Sequence, residues 1–169
     1  GGSQGRDAYD AFLVPVNGGA RPAMIVDHSF GLWEVELTRD GQYVAVRSDE
    51  EGSDGNIRYR RTSGDTTLTG LLTGADRTSV FDLSPDGRYI AYSSDADGTI
   101  EVYVSPFPSV AWWRPISSGG GTEVRWSRSG RELFYKSATH LMAVPVTAGA
   151  SFTAGAPRPL FRLDGYIAA

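Results

Sequence analysis

The sequence predicts an all-β chain of four-stranded antiparallel blades, and three observations predict it. The first is an internal repeat. Gly41, Gly87 and Gly130 stand 46 and 43 residues apart, each four residues after an apolar residue (Leu37, Leu83, Trp126) and three after a hydroxyl (Thr38, Ser84, Ser127). The second lies just beyond each glycine: an apolar block (Val44-Ala45-Val46, Ile90-Ala91-Tyr92, Leu133-Phe134-Tyr135) and then a serine (Ser48, Ser94, Ser137). The third is composition, since 21 glycines and 9 prolines in 169 residues favour many turns over long helices. A period of roughly 40 to 45 residues is that of a propeller blade and not of a helical repeat. Only three full repeats are present, where propellers use about four to eight. The fold class is therefore a β-propeller segment of about three full blades plus a half blade.

Residues 1–6, opening Gly1-Gly2-Ser3, read as a tag remnant or linker. Residues 7–30 read as the last two strands of an incomplete blade. An apolar run over 11–16 meets the turn signal Asn17-Gly18-Gly19 and returns over 21–26. Val14-Pro15-Val16 has its echo in Val144-Pro145-Val146, and Arg21-Pro22 in Arg114-Pro115 and Arg158-Pro159.

The first full blade spans 31–76, with strands expected at 32–38, 42–48, 57–62 and 67–72, a turn at Arg39-Asp40-Gly41 and an acidic loop over 49–55. The second spans 77–121, with strands at 79–84, 88–94, 100–105 and 112–117. Its 88–94 segment is apolar on both alternating faces, as a strand between two neighbouring blades must be. Arg114-Pro115 suits an outer edge, because proline cannot donate to a central ladder. The third spans 122–163, with strands at 123–127, 131–137, 141–146 and 159–163 and a loop of small residues over 147–156. Residues 164–169 read as the start of a further inner strand.

The net charge of −4 argues against a phosphate-backbone binder, which would show a basic face, so no nucleic-acid partner is expected. There is no cysteine, which removes disulfides and thiolate metal sites. No run of about 18 apolar residues and no secretory leader is present, so no membrane insertion is expected of this chain.

The stretch Leu83-Ser84-Pro85-Asp86-Gly87-Arg88-Tyr89-Ile90-Ala91-Tyr92 resembles the TolB-type, WD-repeat-like propeller repeat in full. The copies at Thr38-Arg39-Asp40-Gly41 and Ser127-Arg128-Ser129-Gly130 depart from it by lacking the proline. More narrowly, Glu101-Val102-Tyr103-Val104-Ser105-Pro106-Phe107-Pro108 and Gly119-Gly120-Gly121-Thr122-Glu123-Val124-Arg125-Trp126-Ser127 are similar to C-terminal sensor propellers of bacterial serine/threonine kinases. The resemblance implies binding or scaffolding, an extracytoplasmic bacterial setting, and no catalytic motif or cofactor. No kinase phosphate loop or catalytic loop is present.

Candidate sites are few. Turn chemistry accounts for the Asp-Gly pairs: Asp caps its own turn and Gly supplies positive φ. Asp49, Glu50, Glu51 and Asp54, and separately Asp95 and Asp97, cluster carboxylates in hairpin loops. They lack the spaced ligands and closing glutamate of a calcium loop, so solvated turns are expected and no metal site is assigned. His28 and His140 have no ligand partners at metal spacing, and no serine sits in a nucleophile elbow. Trp126 falls at a repeat position and is expected in the core. Trp112 and Trp113, adjacent and facing opposite ways, mark a candidate partner contact.

The residues support two functional readings. The first is a non-enzymatic binding or scaffold module that takes a protein or peptide ligand and self-associates as a homodimer. In it, residues after Leu163 complete the partner's orphan strand pair across a seam of Leu13, Val14, Tyr166 and Ile167, giving about eight blades from two chains. The second is a gating or catalytic part of a peptidase- or glycosidase-type hydrolase, for which Asp82 and Glu123 on inner strands are the carboxylates to test.

Overall fold

The computed structural model describes residues 10–14, 19, 21–26, 31–49, 55–64, 66–74 and 78–163, and among these it is all strand, turn and bend. A two-stranded antiparallel sheet pairs β1 (Ala11–Leu13) with β2 (Ala23–Val26). The next sheet runs β3 (Gly31–Leu37), β4 (Tyr43–Asp49), β5 (Asn56–Arg61), β6 (Thr69–Leu72), and the one after it β7 (Thr78–Leu83), β8 (Tyr89–Ser94), β9 (Glu101–Pro106), β10 (Arg114–Pro115). The last contains β11 (Thr122–Trp126), β12 (Glu132–Lys136), β13 (His140–Ala148), β14 (Phe152–Ala154) and β15 (Arg158–Arg162). All pairings are antiparallel; the two middle sheets are blades built by successive hairpins, and in the last sheet both β14 and β15 pair with β13.

One turn joins the first two strands of all three blades. Gly41, Gly87 and Gly130 have φ of 70°, 69° and 69°, the left-handed region that glycine enters without a Cβ penalty. Their N–H groups donate to the carbonyls of Thr38, Ser84 and Ser127 at 2.8, 2.8 and 2.9 Å. The hydroxyls of those residues accept the N–H of Tyr43, Tyr89 and Glu132 at 3.0, 2.9 and 3.0 Å. Thr38 and Ser84 donate in turn to Asp40 and Asp86 at 2.7 and 2.6 Å, while Ser127 pairs with the hydroxyl of Ser129 at 3.1 Å. The turn is thus specified by hydroxyl, acceptor and glycine. Arg39 and Arg128 stand where Pro85 does without changing it.

The core lies between blades. On the face of each inner strand that looks back along the chain, Phe81 and Leu83 pack on Ala45, Ile57 and Leu71 of the blade before, and Val124 and Trp126 pack on Ala91, Val102 and Val104. All six residues of β8 are buried, as the two-sided apolar pattern requires. Ile25 and Val26 of β2 cover Val44 and Val46 of β4, and the Arg60 guanidinium donates to the Ile25 carbonyl at 2.8 Å to hold β2 in place.

Two segments differ from the sequence reading. The 147–156 stretch is not a simple loop: β13 continues to Ala148 and β14 returns against it, so β14 and β15 share the outer edge. Its anchor is Phe152, buried against Tyr89, Trp112 and Trp126 at ring separations of 5.3, 6.0 and 6.3 Å. One aromatic among small residues carries no alternating signal. The expected strand over 112–117 shrinks to Arg114–Pro115, because Trp112 and Trp113 leave the ladder to fill wedges beside it.

Candidate functional site

Glu36, Asp82 and Arg125 occupy the same repeat position on three inner strands, one residue before Leu37, Leu83 and Trp126. As the first strands of their sheets, β7 and β11 have edge amides with no ladder partner, and a buried N–H needs an acceptor. The preceding blade supplies it. Glu34 and Glu36 accept the N–H of Phe81 and Leu83 at 3.2 and 2.9 Å, and the Asp82 carboxylate accepts that of Trp126. Arg125 donates to the Phe81 carbonyl at 3.0 Å and to Glu34 at 3.1 Å, completing the clasp.

Glu36 and Asp82 also hydrogen-bond each other. Burial, and then the neighbouring Asp82 charge, push the Glu36 carboxyl up to about 8. Burial raises Asp82 as well, against the opposing pull of the Trp126 N–H, its Glu36 bond and the Arg125 charge. The pair therefore holds a proton between two blades.

Asp82 and Glu123, the two acids singled out from sequence for a hydrolase, are not brought together. Glu123 sits in the left-handed region at φ 53°, with its side chain 64% exposed, and pairs with Lys136 at 3.3 Å. The acid that meets Asp82 is Glu36. Its signal was in the sequence, since Glu36 and Asp82 share one column of the repeat, as inner-strand residues of adjacent blades do.

The remaining candidates are simpler. Asp95 accepts the Gly98 N–H at 2.7 Å through its carbonyl in a tight turn, and Asp49 ends β4. Among the described residues no three His, Cys, Asp or Glu side chains group as metal ligands, and no helix is long and apolar enough to cross a membrane. His140 opens β13 with its Nδ1 at 2.8 Å from the Thr139 hydroxyl. His28, Glu50, Glu51, Asp54, Tyr166 and Ile167 lie outside the described residues.

Trp112 and Trp113 enter different wedges. Trp112 lies 6.1 Å from Tyr89, toward the third blade, with the Arg114 guanidinium 5.6 Å over its ring. Trp113 remains 59% exposed and meets Tyr103 edge to face at 5.6 Å and 87°. Tyr103 stacks on Tyr92 at 5.8 Å, and its hydroxyl donates to Asp97 at 2.8 Å. Burial, and then Asp97 beside it, push that hydroxyl up to about 12, so it stays a donor. These groups, with Leu72, Thr73 and Gly74 of the first blade, enclose a cavity of about 210 Å³.

Apolar surface is left at both ends of the arc. Trp33, Val35 and Leu37 alternate along one face of β3 and are 65%, 37% and 37% exposed. Phe12, Leu13, Val14 and Met24 of the first hairpin are exposed, as are Leu160 and Phe161 on β15.

No protein-family model matches the chain, and no curated protein matches it in sequence. Solved structures do match in shape. A TolB structure from Agrobacterium tumefaciens has a TM-score of 0.66 at 18% identity, over 90% of this chain and 56% of that one. TolB from Acinetobacter baumannii gives 0.67 at 15%, over 88% and 38%. The periplasmic gluconolactonase of Pseudomonas aeruginosa gives 0.55 at 16%, over 93% and 50%. The chain spans about half or less of the length of these proteins, and at such identities the likeness is one of fold. The fold is a TolB-like β-propeller segment, all-β and built of four-stranded antiparallel blades.

Proposed function

We propose that this chain is a non-enzymatic binding or scaffold segment of a β-propeller that closes its ring with a second copy of itself. The observation that carries this reading is the uncovered face of β3. In the second and third blades the corresponding residues, Phe81 with Leu83 and Val124 with Trp126, are buried against the blade before. Trp33, Val35 and Leu37 have the same alternation and, among the described residues, no such cover. A contiguous apolar face of this kind marks an interaction surface. A second copy on a two-fold axis would bring the C-terminal end of each arc against the open β3 face of the other, and three blades from each chain plus two shared ones would make about eight. The non-enzymatic part is supported by Glu36 and Asp82, whose oxygens are engaged by backbone amides and by each other.

Light scattering coupled to size exclusion tests the association. The expected mass is near twice 18.2 kDa, falling to that of one chain in Trp33→Glu and on deletion of residues 164–169. A wild-type monomer would overturn self-closure. A hydrolase activity abolished by Asp82→Asn in a folded variant would overturn the non-enzymatic reading.

A further inference from the structure

The cavity between the first and second blades has the features of a binding site for an organic cation. Two of its walls are aromatic and perpendicular: the Tyr92–Tyr103 stack, at 28° between rings, and Trp113, at 87° to Tyr103. Ring faces carry negative potential and attract a cation within about 6 Å of the centroid, most strongly for tryptophan. Among the described lining residues the one formal charge is negative, that of Asp97. The Tyr103 hydroxyl holds the Asp97 carboxylate at 2.8 Å from the buried end of the cavity, which fixes its direction at low entropic cost. The volume of about 210 Å³ falls below the roughly 300 to 1,000 Å³ of clefts that take drug-sized ligands, so it suits one side chain or a cationic headgroup. Trp113 is 59% exposed although it packs on Tyr103, which leaves much of its indole surface open.

We propose that this wedge captures the guanidinium of an arginine side chain presented by a peptide or protein partner, with Trp113 and Tyr103 as aromatic walls and Asp97 as counter-charge. A neutral sugar is the other ligand that stacks on tryptophan. A guanidinium is planar, stacks on an aromatic face and donates two N–H groups to one carboxylate, which is the pairing that Trp113 and Asp97 offer.

The proposal deepens the binding-module reading and rests on it, but not on ring closure. The test is a titration of the full chain with N-acetylargininamide, followed by the indole N–H signal of Trp113 in a ¹⁵N correlation spectrum and assigned with Trp113→Phe. The sample mass is recorded alongside, so that a failure to self-associate is seen separately from a failure to bind. A saturable shift in the millimolar range is expected, weakened at least roughly fivefold in Asp97→Asn and in Trp113→Ala. Trp113 is largely exposed and Asp97→Asn keeps its shape, so both variants should fold. Tyr103→Phe, which frees Asp97 while keeping the ring, should weaken binding less than Asp97→Asn does. Equal binding of the neutral citrulline analogue would overturn the assignment. So would saturation by a monosaccharide in place of the cation, unchanged affinity in both substituted chains, or no saturable shift with arginine.

Discussion

The second blade and the first carry the same repeat in different surroundings. Phe81 and Leu83 lie on the backward face of β7 and are buried, whereas Val35 and Leu37, at the same repeat positions on β3, are each 37% exposed. The strands share the same apolar alternation ahead of the turn and the same turn. What differs is the neighbour: β7 has β4, β5 and β6 to pack on, while the β1–β2 hairpin packs on Val44 and Val46 of β4 and leaves Trp33, Val35 and Leu37 exposed. A repeat position is therefore core or surface according to whether another blade stands against it. In a solenoid-like array each unit gains most of its stability from nearest neighbours.

The sharpest way to break this comparison is to truncate equivalent side chains. Phe81→Ala should cost about 3 to 5 kcal/mol in urea unfolding, because it opens a cavity in a filled interface. Val35→Ala at the equivalent site should cost less than about 1 kcal/mol in a single chain, because the site is already open. Similar losses at both would mean that the β3 face is covered in solution.

The turns offer a control in which the two blades should behave alike. Gly41→Ala and Gly87→Ala each place a Cβ at φ near +70° and should cost about 1 to 2 kcal/mol. Gly41 has open space where the Cβ would go, while Gly87 has the Thr38 methyl at 3.4 Å, so the second should lose slightly more. A large gap between them would show that the turn is not one repeated device.

A smaller effect should come from the acid clasp. Glu36 titrates at about 8 in the folded chain against an ordinary value of 4.5, so the folded state holds the proton more tightly. Its contribution to stability is then fully present below the ordinary value and is lost as pH rises toward and through 8. Asp82, raised in the same direction, adds to that slope. Glu36→Gln keeps an acceptor for the Leu83 N–H and gives Asp82 a donor. Thermal melts should therefore show a flatter pH dependence, with a midpoint above wild type by on the order of a few degrees at alkaline pH. An unchanged slope would sink the shared-proton account.

The smallest expected change is at Trp33→Ser, which should alter single-chain stability by no more than about 0.5 kcal/mol. By removing apolar area from the open face, it should lower the association measured by light scattering. If the unfolding free energy falls by several kcal/mol at concentrations where the chain is monomeric, Trp33 is core after all.

Much of the fold is legible in the sequence because its determinants are local. A hydroxyl, an acceptor and a glycine set each turn, and the alternation along β8 sets a strand covered on both sides. These signals repeat at a fixed period, so three copies reinforce one another where one would be weak. The same regularity hides β14, whose anchor Phe152 stands among small residues and packs on aromatic rings from three other segments.

The site is less legible. Asp82 stands out as an inner-strand acid, but the partner expected for it, Glu123, is not the one it meets, because strand membership does not say which acid faces which. The sequence by itself determined the turns, the strand order within the first two blades and the period, since these depend on residues a few positions apart. Only the tertiary structure decided that Glu36 and Asp82 meet, that Trp113 and Asp97 border one cavity, and that Leu37 is surface where Leu83 is core. Each of those facts depends on the distance between blades, which is set by side chains some 40 residues apart in the chain packing against one another.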